Sequence, residues 1–244
     1  AEAGPSDAGA QDSADGSPDA PDAFADAAAD VVDEPPPLAP IAFVQIAASS
    51  PSGMQTTVTA KFLQAQAAGD LVVVAIGWDD ATSTVSTVTD SSGNGYALAI
   101  GSTRFGADLS QSIYYAKNVA AAAAGANSVK VTFVQAANVP DLRILEYSGL
   151  DPAAPLDATA SGTGSSAGPA TTSSVTTKAA RELLFAAGMT SDLYSGAGAG
   201  FSDRLVTSDG NLVEDRTVSA TGSYAGSAPL NLPSEWVMQL VTFR

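Results

Sequence analysis

The segment DLVVVAIGW, residues 70–78, is the most hydrophobic run of the chain and decides the fold class. Gly69 precedes it and Asp79-Asp80 follow it, so turn-forming residues bound the run on both sides. A run this short, rich in β-branched residues, predicts a strand buried on both faces rather than a helix. A second segment, ELLFAAGM at residues 182–189, repeats the pattern of one acid, an apolar run and a late glycine. The two segments predict a pair of core strands around which the other strands pack.

The first 34 residues differ in composition from the rest of the chain. They hold ten acidic residues and no Lys or Arg, and consist largely of Ala, Asp, Ser, Gly and Pro. Such a segment buries too little apolar surface to offset its ordering entropy, so residues 1–40 are expected to be a mostly disordered tether. The alternative is a short docking helix, because its acids recur every three or four residues. Without those ten acids, the 10 basic and 26 acidic residues of the chain leave a net charge of −6.

Missing residue types exclude several function classes. The chain has no Cys and no His, so disulfides, thiolate and imidazole metal sites, and Ser-His-Asp or Cys-His catalysis are excluded. No cluster of Lys and Arg is present, which disfavours nucleic acid and anionic lipid as partners. No run approaches the roughly 20 apolar residues of a membrane span, so direct membrane insertion is not expected.

From Ile41 onward, short alternating segments are separated by Gly, Asn, Asp, Ser and Pro, a pattern typical of sandwiches and barrels. Asn94-Gly95 and Asp209-Gly210 predict hairpin turns, and residues 162–170 form a low-complexity stretch. The predicted fold class is all-β: a single two-layer antiparallel sandwich, jelly-roll-like, over residues 41–244. Residues 151–155 are the alternative domain boundary. The predicted strands are 41–48, 56–62, 71–78, 85–89, 96–101, 110–118, 128–134, 142–147, 171–177, 183–189, 201–207, 212–218, 222–225 and 236–243.

Several short pieces of the sequence also resemble a known kind of module. They are GDLVV (69–73), TDSSGNGY (89–96), IYYA (113–116), VKVTF (129–133), LEYSG (145–149), EDR (214–216) and the closing residues 236–244. Together they resemble an uncharacterised β-sandwich module of bacterial extracellular proteins and phage structural proteins. The resemblance implies the fold and an extracellular address, and it supplies no catalytic residue.

Carboxylates are the remaining acid–base candidates. Glu146 and Glu214 each lie inside a predicted strand, and a glycoside hydrolase needs two such groups about 5 to 10 Å apart. The favoured interpretation is structural: Arg143, Glu146, Glu214 and Arg216 form ion pairs, because a buried carboxylate must be paired or neutral. The segment GSSAG at residues 164–168 matches G-x-S-x-G, but it has no strand-turn-helix context and no base, so no catalytic residue is predicted.

Oxygen-rich turns suggest calcium as the one possible cofactor. The candidate ligands follow two predicted strands: Asp79, Asp80, Asp90 and Asn94. The alternative is that these side chains cap Asx turns without any metal.

Aromatic side chains are the candidate ligand contacts. Trp78 ends the central strand, Tyr115 follows another tyrosine in a strand, and Tyr194 lies in a segment that looks like a loop. An outward aromatic ring would stack on a sugar, whereas the alternative is core or edge packing.

These features predict an exported binding or adhesion module on the cell surface, with a carbohydrate as its ligand. An Asp/Ala/Pro-rich leader before a β domain is similar to the spacer of bacterial surface lipoproteins, so a lipid anchor upstream of Ala1 is expected. The first alternative is a self-associating structural subunit of an extracellular fibre, sheath or phage-like particle. The second is a carboxylate-dependent glycoside hydrolase.

Overall fold

The computed structural model describes residues 39–165 and 168–244, and within them every regular element is a β-strand. The predicted tether therefore lies almost entirely outside the described residues. The described part contains no helix suited to spanning a membrane. The strands are β1 (Ala42–Ser49), β2 (Met54–Lys61), β3 (Leu71–Trp78), β4 (Val85–Asp90), β5 (Ala97–Phe105), β6 (Leu109–Ala116), β7 (Ser128–Asn138), β8 (Asp141–Ser148), β9 (Leu156–Gly164), β10 (Ala170–Thr171), β11 (Val175–Thr176), β12 (Glu182–Thr190), β13 (Ser202–Val206), β14 (Leu212–Val218), β15 (Ser223–Tyr224), β16 (Ser227–Ala228) and β17 (Trp236–Phe243).

The strands form two large sheets and three small ones, and their pairings are antiparallel. The first half of the domain, β1 to β8, builds a five-stranded sheet in the order β1-β8-β3-β6-β5 and a three-stranded sheet in the order β2-β7-β4. The second half, β9 to β17, builds a five-stranded sheet in the order β13-β14-β12-β17-β9 and the pairs β10-β16 and β11-β15.

The first half has the strand order of an eight-stranded jelly roll. Its strands 1-8-3-6 lie in one sheet and strands 2-7-4 lie in the other. The large sheet of the second half repeats this order when it is read from its β9 edge. The order β9-β17-β12-β14-β13 then matches β1-β8-β3-β6-β5, strand for strand. The two hydrophobic segments of the sequence, β3 and β12, therefore occupy equivalent central places. The predicted all-β, antiparallel, jelly-roll-like sandwich is confirmed.

The core has three apolar layers. One lies between the two large sheets, and each large sheet has another on its outer face. Between the large sheets, Leu71 and Val73 pack near Leu183 and Phe185. The other face of β3 packs against the three-stranded sheet, with Val129 and Val131 on its inner side, and the other face of β12 is covered by the small pairs. Both central strands are buried along their full length, as predicted. The two large sheets form the central sandwich, and the small sheets add an outer layer on each side that the sequence did not predict.

Strand β9, Leu156–Gly164, was not predicted, because its small residues show no apolar alternation. It is an edge strand that pairs only with β17. Its glycines are required by close packing: a Cβ at Gly162 would lie 2.0 Å from the Thr171 carbonyl oxygen. The G-x-S-x-G match begins at the end of this strand, and its Ser166 lies outside the described residues.

Candidate functional site

Glu146 and Glu214 project from opposite outer faces of the two large sheets. Glu146 lies on the face of β8 that bears Ile144, toward the three-stranded sheet. Glu214 lies on the face of β14 that bears Leu212, toward the small pairs of the second half. Packed sheets lie about 10 Å apart and the two side chains point away from each other, so the carboxyl groups cannot flank one scissile bond.

Each of these carboxyl groups is buried and held by neutral donors. Glu146 Oε2 accepts a 2.6 Å hydrogen bond from Gln45 Nε2, and Glu214 Oε2 accepts one of 2.6 Å from the Gly198 amide. Burial raises the pKa of each carboxyl to about 7. Among the described residues neither group has a salt-bridge partner, so the structure does not show the predicted ion pairs of these two acids.

Arg143 faces the opposite side of β8 from Glu146, because they lie an odd number of positions apart, three, in a strand. Its Nε lies 3.0 Å from Asp141 Oδ1 in a fully buried pair. Arg216, also predicted to pair, is exposed and its guanidinium lies 5.8 Å from the Tyr224 ring centre. Of the four residues predicted to form ion pairs, only Arg143 does so among the described residues, and its partner is Asp141.

The four predicted calcium ligands do not meet. Asp80 accepts a hydrogen bond from the amide of Asn138, the last residue of β7. Asp90 lies at the other end of that strand, because the amide of its neighbour Ser91 bonds to the carbonyl of Ser128, the first residue of β7. The eleven residues of β7 span roughly 30 Å. No group of three or more acidic side chains among residues 39–165 and 168–244 is arranged to hold a metal ion.

The carboxylates of Asp80 and Asp90 already accept hydrogen bonds from protein donors. Asp80 accepts bonds from the amides of Thr82, Ser83 and Asn138 and from the Thr82 hydroxyl. Asp90 accepts bonds from the amides of Ser92 and Asn94 and the side chains of Asn94, Tyr96 and Asn127. These contacts lower the pKa of both groups despite their partial burial. Both acids thus cap turns, and Asp79 lies next to Asp80 with its pKa raised to about 6, chiefly by burial.

Two of the three predicted aromatic contacts lie in the core, and the third is half-buried. Trp78 is fully buried and packs edge-on against Phe133 at 5.4 Å. Tyr194 is also buried, because the chain after β12 folds back across the sheet and its amide bonds to Gly210. Tyr115 is half-buried and packs against Phe243 between the two halves. These rings stabilise the fold and do not offer an open stacking face.

An exposed polar surface instead covers the three-stranded sheet. Its inner face carries Val58, Val129 and Val131, so the alternate residues of each strand point outward. Strand pairing aligns the outward residues in two rows across the sheet, Thr57-Thr132-Thr87 and Thr59-Lys130-Thr89. We call these six side chains the hydroxyl face.

The hydroxyl face is regular and carries little charge. Neighbouring strands lie about 4.8 Å apart and alternate residues along a strand about 6.6 Å apart, which gives a repeating array of groups. A threonine hydroxyl both donates and accepts a hydrogen bond, whereas the Lys130 ammonium only donates. Lys130 has no salt-bridge partner among the described residues. A groove of about 230 Å³ crosses the end of the face, lined by Thr59, Thr89, Asp90, Ser91, Ser128 and Lys130.

A repeated tripeptide in the sequence marks the three strands of this surface. Thr57-Val58-Thr59 and Thr87-Val88-Thr89 are the same tripeptide, and Lys130-Val131-Thr132 differs at one position. Alternation predicts that Lys130 and Thr132 turn away from the core, which is confirmed. Only the sheet order shows that the three tripeptides are adjacent.

No protein-family model, curated protein or solved structure matches this chain.

Proposed function

We propose that this protein is a binding module of the exported cell-surface type, and that its hydroxyl face binds a neutral polysaccharide. The observation that supports the proposal is the alignment of five threonines and one lysine in two outward-facing rows, in which every side chain but the half-buried Thr132 is exposed. A repeating array of hydroxyl groups matches a polymer whose own hydroxyls repeat, because each side can donate and accept hydrogen bonds.

Charge favours a neutral ligand over an acidic one. The face has a single ammonium group, and the chain as a whole carries a net charge of −16. A polyanion would meet net repulsion, whereas one lysine can donate bonds to several sugar oxygens. The Asp/Ala/Pro-rich leader and the resemblance to extracellular modules support the surface address.

Binding is tested with insoluble cellulose and chitin, with alginate beads as the acidic comparison. We expect the full chain to be retained on a neutral polysaccharide. The double variant Thr59→Val/Thr89→Val is expected to bind at least about tenfold more weakly, because valine keeps the shape and strand preference but removes both hydroxyls. Lys130→Gln is expected to weaken binding as well.

The control variants make the same kinds of substitution, Thr to Val and a cation to Gln, at exposed strand positions outside the hydroxyl face. Thr217→Val on β14 and Arg104→Gln on β5 are expected to leave retention unchanged. Retention of the double variant equal to that of the unaltered chain would overturn the site. Preference for alginate, or failure to bind any of the three, would overturn the ligand class.

The structural-subunit alternative is favoured by one specific observation. β1 is an edge strand of the first large sheet, with a single partner, β8. Such an edge supports strand exchange between copies. Oligomers that resist high salt on a sizing column would favour this alternative, and a monomer that binds polysaccharide would exclude it.

A further inference from the structure

Each half of the domain contains one pair of buried carboxyl groups, and one member of each pair lies at the same place in its sheet. In the first half, Leu71 pairs with Tyr147, and in the second, Leu183 pairs with Phe243. Asp70 and Glu182, one residue earlier, are therefore equivalent positions. Glu146 pairs with Val72, and Asp70 lies two residues before Val72 on the same face, so the Asp70 and Glu146 side chains are diagonal neighbours that share a hydrogen bond. Glu182 shares one with Asp157 on the edge strand β9.

The contact between Asp70 and Glu146 requires a proton, because two ionised carboxylates have only acceptors. Glu146 Oε1 is buried and receives no hydrogen bond from any N–H or neutral O–H donor. Burial raises the pKa of both acids, and the pKa of Glu146 is about 7. The pair therefore holds one shared proton, which is lost close to neutral pH.

The pair holds a loop closed at one end of the first half. Gln45, which donates to Glu146, also bonds to the backbone of Gln64 at 2.9 Å and 3.3 Å. The Asp70 carbonyl accepts a 3.0 Å bond from the Val119 amide, and Gln66 exchanges bonds of 2.9 Å and 3.2 Å with Ala122. Residues 63–69 are thus fastened to the connection 119–127 beside the acid pair.

No positive charge offsets the first pair. The other side chains around Glu146 are neutral: β1 presents Gln45, the loop presents Gln66, and Asn127 from the connection before β7 bonds to Gln66. Asp90, beyond Asn127, adds a further negative charge. Among the described residues, no Lys or Arg forms a salt bridge with any of these acids.

The second pair differs because a lysine binds it. Lys178 donates its amide to Asp157 at 3.0 Å, and its ammonium lies 3.1 Å from the same carboxylate. These contacts lower the pKa of Asp157, while Glu182 accepts a 2.8 Å bond from the Ala179 amide. Lys178 therefore offsets the charge of the second pair, whereas no described cation does so for the first.

We propose that Asp70 and Glu146 form a proton-dependent latch, closed in acid and released near neutral pH, which controls the opening of residues 63–69. Release ionises both acids, and their mutual repulsion weakens the contacts that fasten the loop. The latch is independent of what the hydroxyl face binds. It acts in the first half only, because Lys178 offsets the charge of the second pair.

Amide hydrogen exchange on the full chain tests the latch, with rates corrected for the intrinsic effect of pH. The reporters are the amides of Gln66, Gly69, Val119 and Ala122, which bond across the loop. From about pH 5 to about pH 8 we expect their opening to increase on the order of 100-fold. The amides of Thr177 and Gly222 in the second half report on the matched region and are expected to change far less.

Glu146→Gln is expected to remove the pH dependence of the reporters, because the amide stays neutral and donates to Asp70 without a titrating proton. Glu182→Gln is the matched control and is expected to leave it unchanged. If Glu146→Gln fails to fold, Asp70→Asn serves instead, and a carboxyl ¹³C titration of Glu146 in the unaltered chain reports the proton directly. Reporter opening that is independent of pH, or pH dependence that survives Glu146→Gln, would overturn the proposal.

Discussion

Tyr147 in the first half donates a 2.7 Å hydrogen bond to Asp215 in the second half. Arg204 donates two hydrogen bonds to the same carboxylate, at 2.7 Å and 2.9 Å. Its guanidinium also lies 4.2 Å from the centre of the Phe43 ring. Burial raises the pKa of the Tyr147 phenol well above its ordinary value. The two halves are thus joined by a charged polar contact within their shared apolar layer.

Tyr147→Phe is expected to lower the free energy of unfolding by about 1 to 2 kcal/mol, because it removes one hydrogen bond to a buried carboxylate that Arg204 still neutralises. Urea denaturation measures the change. Tyr224→Phe, which loses only a bond from an exposed phenol to the Ala220 carbonyl, is the matched control and should cost less. Equal costs for the two variants would contradict a special role for the Tyr147 contact.

Arg143 is a second buried link between the halves. It donates bonds of 3.0 Å and 2.8 Å to the Gly188 and Leu212 carbonyls, beside its contact with Asp141. Arg143→Met is expected to cost about 3 to 5 kcal/mol, since it leaves Asp141 buried without its cation. Urea denaturation of the double variant Arg143→Met/Asp141→Leu should recover part of that loss. A double variant whose cost equals the sum of the two single changes would show that the pair is not coupled.

Glu214 makes the stability depend on pH. Its pKa is raised to about 7 in the folded protein, so the unfolded chain releases the proton at lower pH. The contribution of Glu214 to the free energy of unfolding therefore falls as pH rises from about 4.5 to about 7, by on the order of 3 kcal/mol. In urea denaturation at about pH 4.5, 5.5 and 7.5, Glu214→Gln should make the profile shallower by about this amount, while Glu146 and Asp79, whose pKa values are also raised, keep the remaining slope. A variant profile parallel to that of the unaltered chain would exclude this role.

Gly188 allows Tyr194 to lie directly on β12. A Cβ at this position would approach the Tyr194 ring to 2.4 Å. Gly188→Ala is expected to cost about 1 to 3 kcal/mol through overpacking. Thermal unfolding of Gly188→Ala/Tyr194→Ala should show a cost smaller than the sum of the single changes, since the alanine methyl then has space. Strict additivity would mean that the ring and the glycine do not limit each other.

Prediction from sequence succeeded where the signal was local and failed where it depended on packing between distant segments. β3 and β12 were predicted because apolar runs bounded by turn residues indicate buried strands. β9 was missed because its Gly, Ala and Ser residues carry no alternation and it is placed by pairing with β17. Likewise, Trp78 and Tyr194 were predicted as open contacts, although the layers above both large sheets bury them.

The all-β class, the two buried core strands and the exclusion of thiol and imidazole chemistry follow from residue type or local periodicity alone. Which side chains meet depends on the tertiary structure. It separated Glu146 from Glu214, moved Asp80 and Asp90 to opposite ends of β7, and aligned three distant tripeptides into the hydroxyl face. Strand order and the side toward which each residue points are set by long-range sheet packing, which no local pattern encodes.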